Sequence, residues 1–129
     1  MSVFKKIFSQ KQTKTNKPAL PWIELTASTQ LADIKVRSKV RPQFIFKHSI
    51  TCGISSMVFN RFATNYPFNG DVADLYYLDL HAYRSLSNEV SELFQVMHQS
   101  PQLLVIKDEI AVFHTSHGAI LEVDLKKFA

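Results

Sequence analysis

The sequence predicts an α/β domain with a mixed central sheet and helices on both faces, in the order β-α-β-α-β-α-β-β-α. Three observations predict it. Apolar runs of strand length alternate with segments of helical period over most of the chain. That alternation favours right-handed crossovers and parallel strands. Near the end, two apolar runs are separated only by Asp108 and Glu109, which adds an antiparallel hairpin.

The elements follow in order. Trp22–Leu25 is a short strand. Ser28 is placed to cap a helix with Leu31, Ala32 and Ile34 on its inner side, ending near Ser38. Gln43–Lys47 holds the continuous run Phe44, Ile45, Phe46, the pattern of a central strand covered on both faces. A helix runs from Cys52 or Gly53 to about Tyr66, with Ile54, Val58, Phe62 and Tyr66 recurring every four residues. Pro67, Asn69 and Gly70 end it. Val72–Leu80 is strand-like. Ser87 reads as the N-cap of the next helix, with Glu89 in its first turn and Leu86, Val90, Leu93, Phe94 and Met97 at helical spacing. Ser100 and Pro101 stop it. Leu103–Lys107 and Ile110–Thr115 form the hairpin, and Ala119–Phe128 reads as a terminal helix.

Composition bounds the rest. A chain of 129 residues with 46% apolar residues is one domain's worth of protein. It can bury about two thirds of its unfolded surface without a disulfide or metal staple. The single cysteine excludes an internal disulfide, zinc sites built on several cysteines and C-x-x-C redox motifs. The three glycines (Gly53, Gly70, Gly118) are too widely spaced for a dinucleotide fingerprint or a P-loop.

The formal net charge of +4 is local. Residues 1–17 carry Lys5, Lys6, Lys11, Lys14 and Lys17 and no acid, so residues 18–129 hold 10 basic and 11 acidic side chains. Residues 1–19 are therefore expected to be a flexible lysine-rich leader, in which Val3–Phe8 is one short amphipathic run, and residues 20–129 the folded domain. A body without a basic face argues against nucleic-acid binding. No apolar run is long enough to span a membrane, and Met1–Gln10 is too short in apolar residues for a signal peptide. The expectation is a cytoplasmic protein with a reduced thiol.

The informative stretch is Phe46–Ser56, F-K-H-S-I-T-C-G-I-S-S. It sets Cys52 between a central strand and the first turn of a helix. Unpaired backbone N–H groups and the helix dipole favour an anion there, and helix N-termini lower cysteine pKa to roughly 3.5–7.5. Lys47, Thr51 and Ser55 are the thiolate-stabilising candidates. His48 is placed to act with Lys47, and Ser55 can offer its N–H and O–H to the sulfur. The bland alternative for a lone cysteine is a small buried hydrophobe.

Lys47, His48, Ser49, Ile50, Thr51, Cys52, Gly53, Ile54 and Ser55 resemble the F-K-H-S-x-x-C-x-I-S signature of the YtxJ-like family, the monothiol bacilliredoxins. Pro21 and Trp22 resemble that family's junction between leader and first strand, and the element order resembles the thioredoxin fold. The resemblance covers about residues 20–129. One departure is Gly53, where the family often has Pro or Ser.

The resemblance implies Cys52 as the redox cysteine and Ser55 at the place where dithiol relatives keep a resolving cysteine. It implies Pro101 as a cis-proline beside the site, with Ser100 offering its backbone to an extended substrate. Gly118, with Ala119, would meet a carboxylate of the thiol co-substrate, and Lys47 is a candidate for its malate group.

The implied function is thiol–disulfide exchange that removes bacillithiol from bacillithiolated proteins. Bacillithiol acts as co-substrate, no metal is expected, and recycling falls to a low-molecular-weight thiol or a redox protein. Two alternatives stay open. Cys52-Gly53-Ile54-Ser55 is also similar to the C-G-F-S motif of monothiol glutaredoxins, which carry iron–sulfur clusters. The domain could also be a non-catalytic interaction module. His114 and His117 diverge on a strand end rather than forming a metal pair. His81 and His98 are expected on the surface, and Phe44, Phe46, Phe59, Phe62, Tyr76 and Phe94 in the core.

Overall fold

The computed structural model describes residues 20–129. The expected leader and its Val3–Phe8 run lie outside the described residues. Five strands and three α-helices follow in the order β1 (Trp22–Glu24), α1 (Thr29–Arg37), β2 (Gln43–His48), α2 (Gly53–Asn65), β3 (Asp74–Asp79), α3 (Arg84–Phe94), β4 (Gln102–Lys107) and β5 (Ile110–Ser116). Two 3-10 helices, His117–Glu122 and Leu125–Phe128, close the chain.

The sheet has the order β1-β3-β2-β4-β5. β1 and β2 both run parallel to β3, β2 is antiparallel to β4, and the β4–β5 hairpin is antiparallel. β2 is thus the central strand, and all six of its residues are buried. Strand alternation sends Ile45 into one core with Leu31, Ile34, Leu86, Val90 and Phe94 from α1 and α3. Phe44 and Phe46 enter the other, with Val58 and Phe62 of α2 and Ile120 and Leu125 of the closing segment. Each fully buried side chain of this kind contributes about 1.5–3 kcal/mol, so helices on both faces are needed to cover β2.

The hairpin is the two-residue turn read from sequence. Asp108 and Glu109 have φ of 52° and 72°, the left-handed pair of a type I′ turn. Neither is glycine. Ser38 stabilises both, its carbonyl accepting the Asp108 N–H at 3.0 Å and its Oγ the Glu109 N–H at 2.8 Å.

Three local expectations are corrected. Ser28 stands at the N-cap of α1 but its hydroxyl bonds Glu89, and Gln30 Oε1 accepts the N–H groups of Thr26 and Ala27 instead. α3 begins three residues before Ser87, with Tyr83 as N-cap. The Tyr83 N–H already bonds the Asp79 carbonyl at 2.9 Å, so the helical turn is under way when Ser87 is reached. The expected terminal helix is two 3-10 pieces parted at Val123 and Asp124, because Ile120, Val123 and Leu125 do not share one α-helical face.

Candidate functional site

The pairing pattern gathers one end of the sheet. Lys47, next to the C-terminal residue of β2, lies opposite Gln102, the first residue of β4. Gln102 lies opposite Ser116, the last residue of β5, and His48 opposite Asp79, the last of β3. The Ser49–Cys52 turn, the Ser100–Pro101 bond and the His117–Gly118 start of the 3-10 helix therefore share one edge. In open α/β sheets that edge, beyond the carboxyl ends of the parallel strands, is where ligands sit.

Cys52 is the N-cap of α2, with extended backbone (φ −105°, ψ 121°), and it is exposed. Its N–H bonds the Ser49 carbonyl at 3.2 Å and its carbonyl starts the helix by accepting the Ser56 N–H at 3.0 Å. The N–H groups of Gly53, Ile54 and Ser55 have no intrahelical acceptor, and the Cys52 side chain makes no capping hydrogen bond. The sulfur is thus open to a partner. Gly53 has no positive φ, and a Cβ placed on it meets nothing within 4 Å. Neither backbone nor packing demands glycine there.

Behind the thiol, Ser55 is fully buried. Its Oγ accepts the Ser49 N–H at 3.1 Å and lies 2.7 Å from His48 Nδ1. Burial lowers the His48 pKa, against an opposing pull from Asp79, so the ring is neutral near pH 7. The Ser55 hydroxyl therefore bridges the Ser49 amide and the His48 ring nitrogen Nδ1. The imidazole stacks on Phe59 at 4.7 Å and 13°, and Phe59 stacks on Trp22 at 5.2 Å. Thr51 Oγ1 lies 3.2 Å from Ser49 Oγ. The Ser55 and Thr51 hydroxyls thus knit the turn that carries Cys52. The sequence named Ser55 but not this clamp. The signal was available, because His48 shares the α2-facing parity of Phe44 and Phe46.

Lys47 has the other parity. It is 0% exposed, and its Nζ donates to the Ser87 carbonyl at 3.2 Å and to Ser91 Oγ at 2.9 Å, both on α3. Desolvation pushes its pKa down from 10.5 to about 8. The ammonium is committed to the α3 side of the sheet, away from the face that α2 covers.

The Ser100–Pro101 peptide bond is cis. Pro101 is buried and Ser100 half-buried. Among the described residues nothing hydrogen-bonds the Ser100 backbone, which leaves it free to pair with an extended chain. The Pro101 carbonyl accepts the His117 N–H at 2.9 Å, which ties the Gly118 segment to the same loop. Gly118 is exposed, with open space where a side chain would stand. His114 sits within β5 opposite Leu104 rather than at this edge. His81 is exposed, while His98 is half-buried, with Nδ1 3.3 Å from Ser87 Oγ.

Solved structures share this architecture. A thioredoxin-fold structure to which an oxidoreductase role is ascribed matches at 29% identity over 79% of this chain and 88% of its own, with a TM-score of 0.66. A Malassezia sympodialis thioredoxin matches at 14% identity over 88% and 94%, TM-score 0.63. A Nicotiana alata thioredoxin matches at 18% over 88% and 97%, TM-score 0.63. The fold is that of thioredoxin, and with the family match over most of the chain it belongs to the thiol oxidoreductases, Cys52 being its one cysteine. Its family is narrower: the chain belongs to the monothiol bacilliredoxins, whose family model matches residues 23–125. Among the described residues no helix is long and apolar enough to cross a membrane.

Proposed function

We propose that the chain removes bacillithiol from protein mixed disulfides through Cys52. The observation that carries this reading is the exposed Cys52 sulfur at the open N-terminus of α2, in a chain of the bacilliredoxin family. The Cys52 thiolate attacks the bacillithiol sulfur of the mixed disulfide. A Cys52–bacillithiol disulfide forms, the substrate's disulfide breaks, and the substrate cysteine leaves as a thiolate and takes a proton from water. The second step consumes one external thiol. Free bacillithiol, or a redox protein, attacks the bacillithiol sulfur, leaves with it as a disulfide, and returns Cys52 as thiolate. The lone cysteine supports this dependence on an outside reductant.

The Gly53–Ser55 amides stabilise the thiolate, with Ser55 and Thr51 holding the turn. Ser100 and Pro101 receive the substrate's backbone. The Gly118 region takes a carboxylate of bacillithiol. A reducing compartment such as the cytoplasm suits this chemistry.

Intact-mass analysis of the reduced chain mixed with a bacillithiolated protein checks the reading. The wild type gains one bacillithiol and the substrate loses one, while Cys52→Ser gains none. Absence of the adduct on the wild type, or its persistence in Cys52→Ser, refutes it.

A further inference from the structure

Beneath the Ser100–Pro101 bond lies a polar cluster that the exchange chemistry does not use. Lys47 and Gln102 are opposite each other on the antiparallel β2–β4 pair, so their side chains emerge on one face. Both are buried, at 0% and 1% exposure, and both reach toward α3 and the segment that follows it. Lys47 holds the Ser87 carbonyl and the Ser91 hydroxyl. Ser87 Oγ reaches His98 Nδ1 at 3.3 Å, and Gln102 Nε2 donates to the Met97 carbonyl at 2.8 Å. Among the described residues Gln102 Oε1 has no hydrogen-bond partner. Gln102 and Ser87 thus reach Met97 and His98, the start of the short segment that ends at the cis bond, and Lys47 holds Ser87 from behind. Burial, with the Lys47 and Arg84 charges, lowers the His98 pKa, which favours the neutral ring that pairs with the Ser87 hydroxyl.

Among the described residues no carboxylate pairs with the Lys47 ammonium, and a buried ammonium without one is costly to fold around. Here its hydrogen bonds hold Ser87 and Ser91 of α3, and the Ser87 hydroxyl in turn reaches His98 in the segment before the cis bond. We propose that Lys47 and Gln102, working through Ser87 and His98, brace the Met97–Pro101 segment from below and set the Ser100 backbone for an incoming polypeptide. They are positioning residues, and none needs to contact the Cys52 sulfur. This rests on the proposed exchange function only in that Ser100 receives the substrate.

The test uses the full chain and a peptide carrying a cysteine–bacillithiol disulfide. Lys47→Met and His98→Ala raise KM for the peptide about tenfold while kcat stays within about twofold. Alkylation of Cys52 by iodoacetamide also stays within about twofold of wild type. His98→Asn, which keeps an acceptor for the Ser87 hydroxyl, restores KM, whereas a general loosening of the fold would not be rescued.

An unchanged KM overturns the brace, and so does a fall in kcat and alkylation alongside it, which would place Lys47 on the thiolate. Should Lys47→Met fail to fold, the half-exposed His98 pair decides. Backbone amide resonances supply a readout independent of turnover: Ser100, Gln102 and His117 shift in the variants while Gly53–Ser56 do not. If the wild type turns over no peptide, the exchange reading fails, and static Ser100 and Gln102 resonances are then what overturns the brace.

Discussion

Replacing Lys47 by methionine should flatten the alkaline stability profile of this protein. The side chain is wholly buried, its ammonium has two neutral hydrogen-bond acceptors, and desolvation moves its pKa from 10.5 to about 8. The sign follows from proton counts. Between about pH 8 and 10.5 the unfolded chain keeps a proton that the folded chain has released, so stability rises with pH across that window. The Lys47 contribution is fully present above the unfolded value and lost as pH falls through about 8. At about 1.4 kcal/mol per unit, the wild type should gain about 2 kcal/mol between pH 8 and about pH 9.5.

Methionine has no proton to lose and gains nothing over that range. Near pH 7 it also removes a buried charge, whose relief offsets the two lost hydrogen bonds, so the variant should be as stable as the wild type or more so. Tyr66 and Tyr76 act in the opposite sense. Burial raises both, Tyr76 to about 12, so their contribution is lost above the ordinary phenol value of 10.0. Stopping at about pH 9.5 and subtracting the variant's curve removes them. Urea unfolding followed by Trp22 fluorescence measures the difference. Parallel curves for the two proteins would refute the reasoning, as would a variant several kcal/mol weaker at every pH.

Two further outcomes are expected. Asp74→Asn should lower stability at neutral pH by about 2–3 kcal/mol. Burial alone would raise the Asp74 carboxyl, but hydrogen bonds from Arg37 and Gln43 and the Arg37 and Arg41 charges hold it below 3.8. The wild type should therefore lose stability as pH falls below the unfolded value and through the lower folded one. The variant should lack this acid loss in denaturation at graded pH, and a shared loss would refute the assignment. Ser55→Ala should cost about 1–3 kcal/mol, since it leaves the Ser49 N–H and His48 Nδ1 without their partner. It should also slow alkylation of Cys52 by loosening the turn, and unchanged midpoint and rate would show that the clamp contributes nothing.

What the sequence disclosed depended on how local the signal was. The central position of β2 was legible because Phe44-Ile45-Phe46 admits burial on both faces. The N-cap placement of Cys52 was legible because a strand ends and a helical period begins within five residues. Ser87 misled, since Ser-Asn-Glu is a good cap signal, yet the preceding turn from Asp79 had already started the helix. The surface assignment of His98 failed for a tertiary reason, because its partner Ser87 sits 11 residues earlier on a folded-back segment. Lys47 was hardest. Its partners are 40 and 44 residues away, and no local pattern announces a lysine that is buried rather than solvated.

The parity of β2 carries more than packing. His48 faces α2 and clamps the thiol turn through Ser55, while Lys47 faces α3 and holds its Ser87 carbonyl and Ser91 hydroxyl. A slip of one residue would exchange them. It would place an ammonium against Phe59 and Trp22 and leave an imidazole too short to span to Ser91. Each error alone would strand a polar group in an apolar setting. The adjacent pair Lys47-His48 therefore fixes the strand's register more firmly than the flanking phenylalanines and isoleucine do, because those would remain apolar on either face. The same two residues that hold the register also hold the two sides of the edge at which Cys52 is exposed.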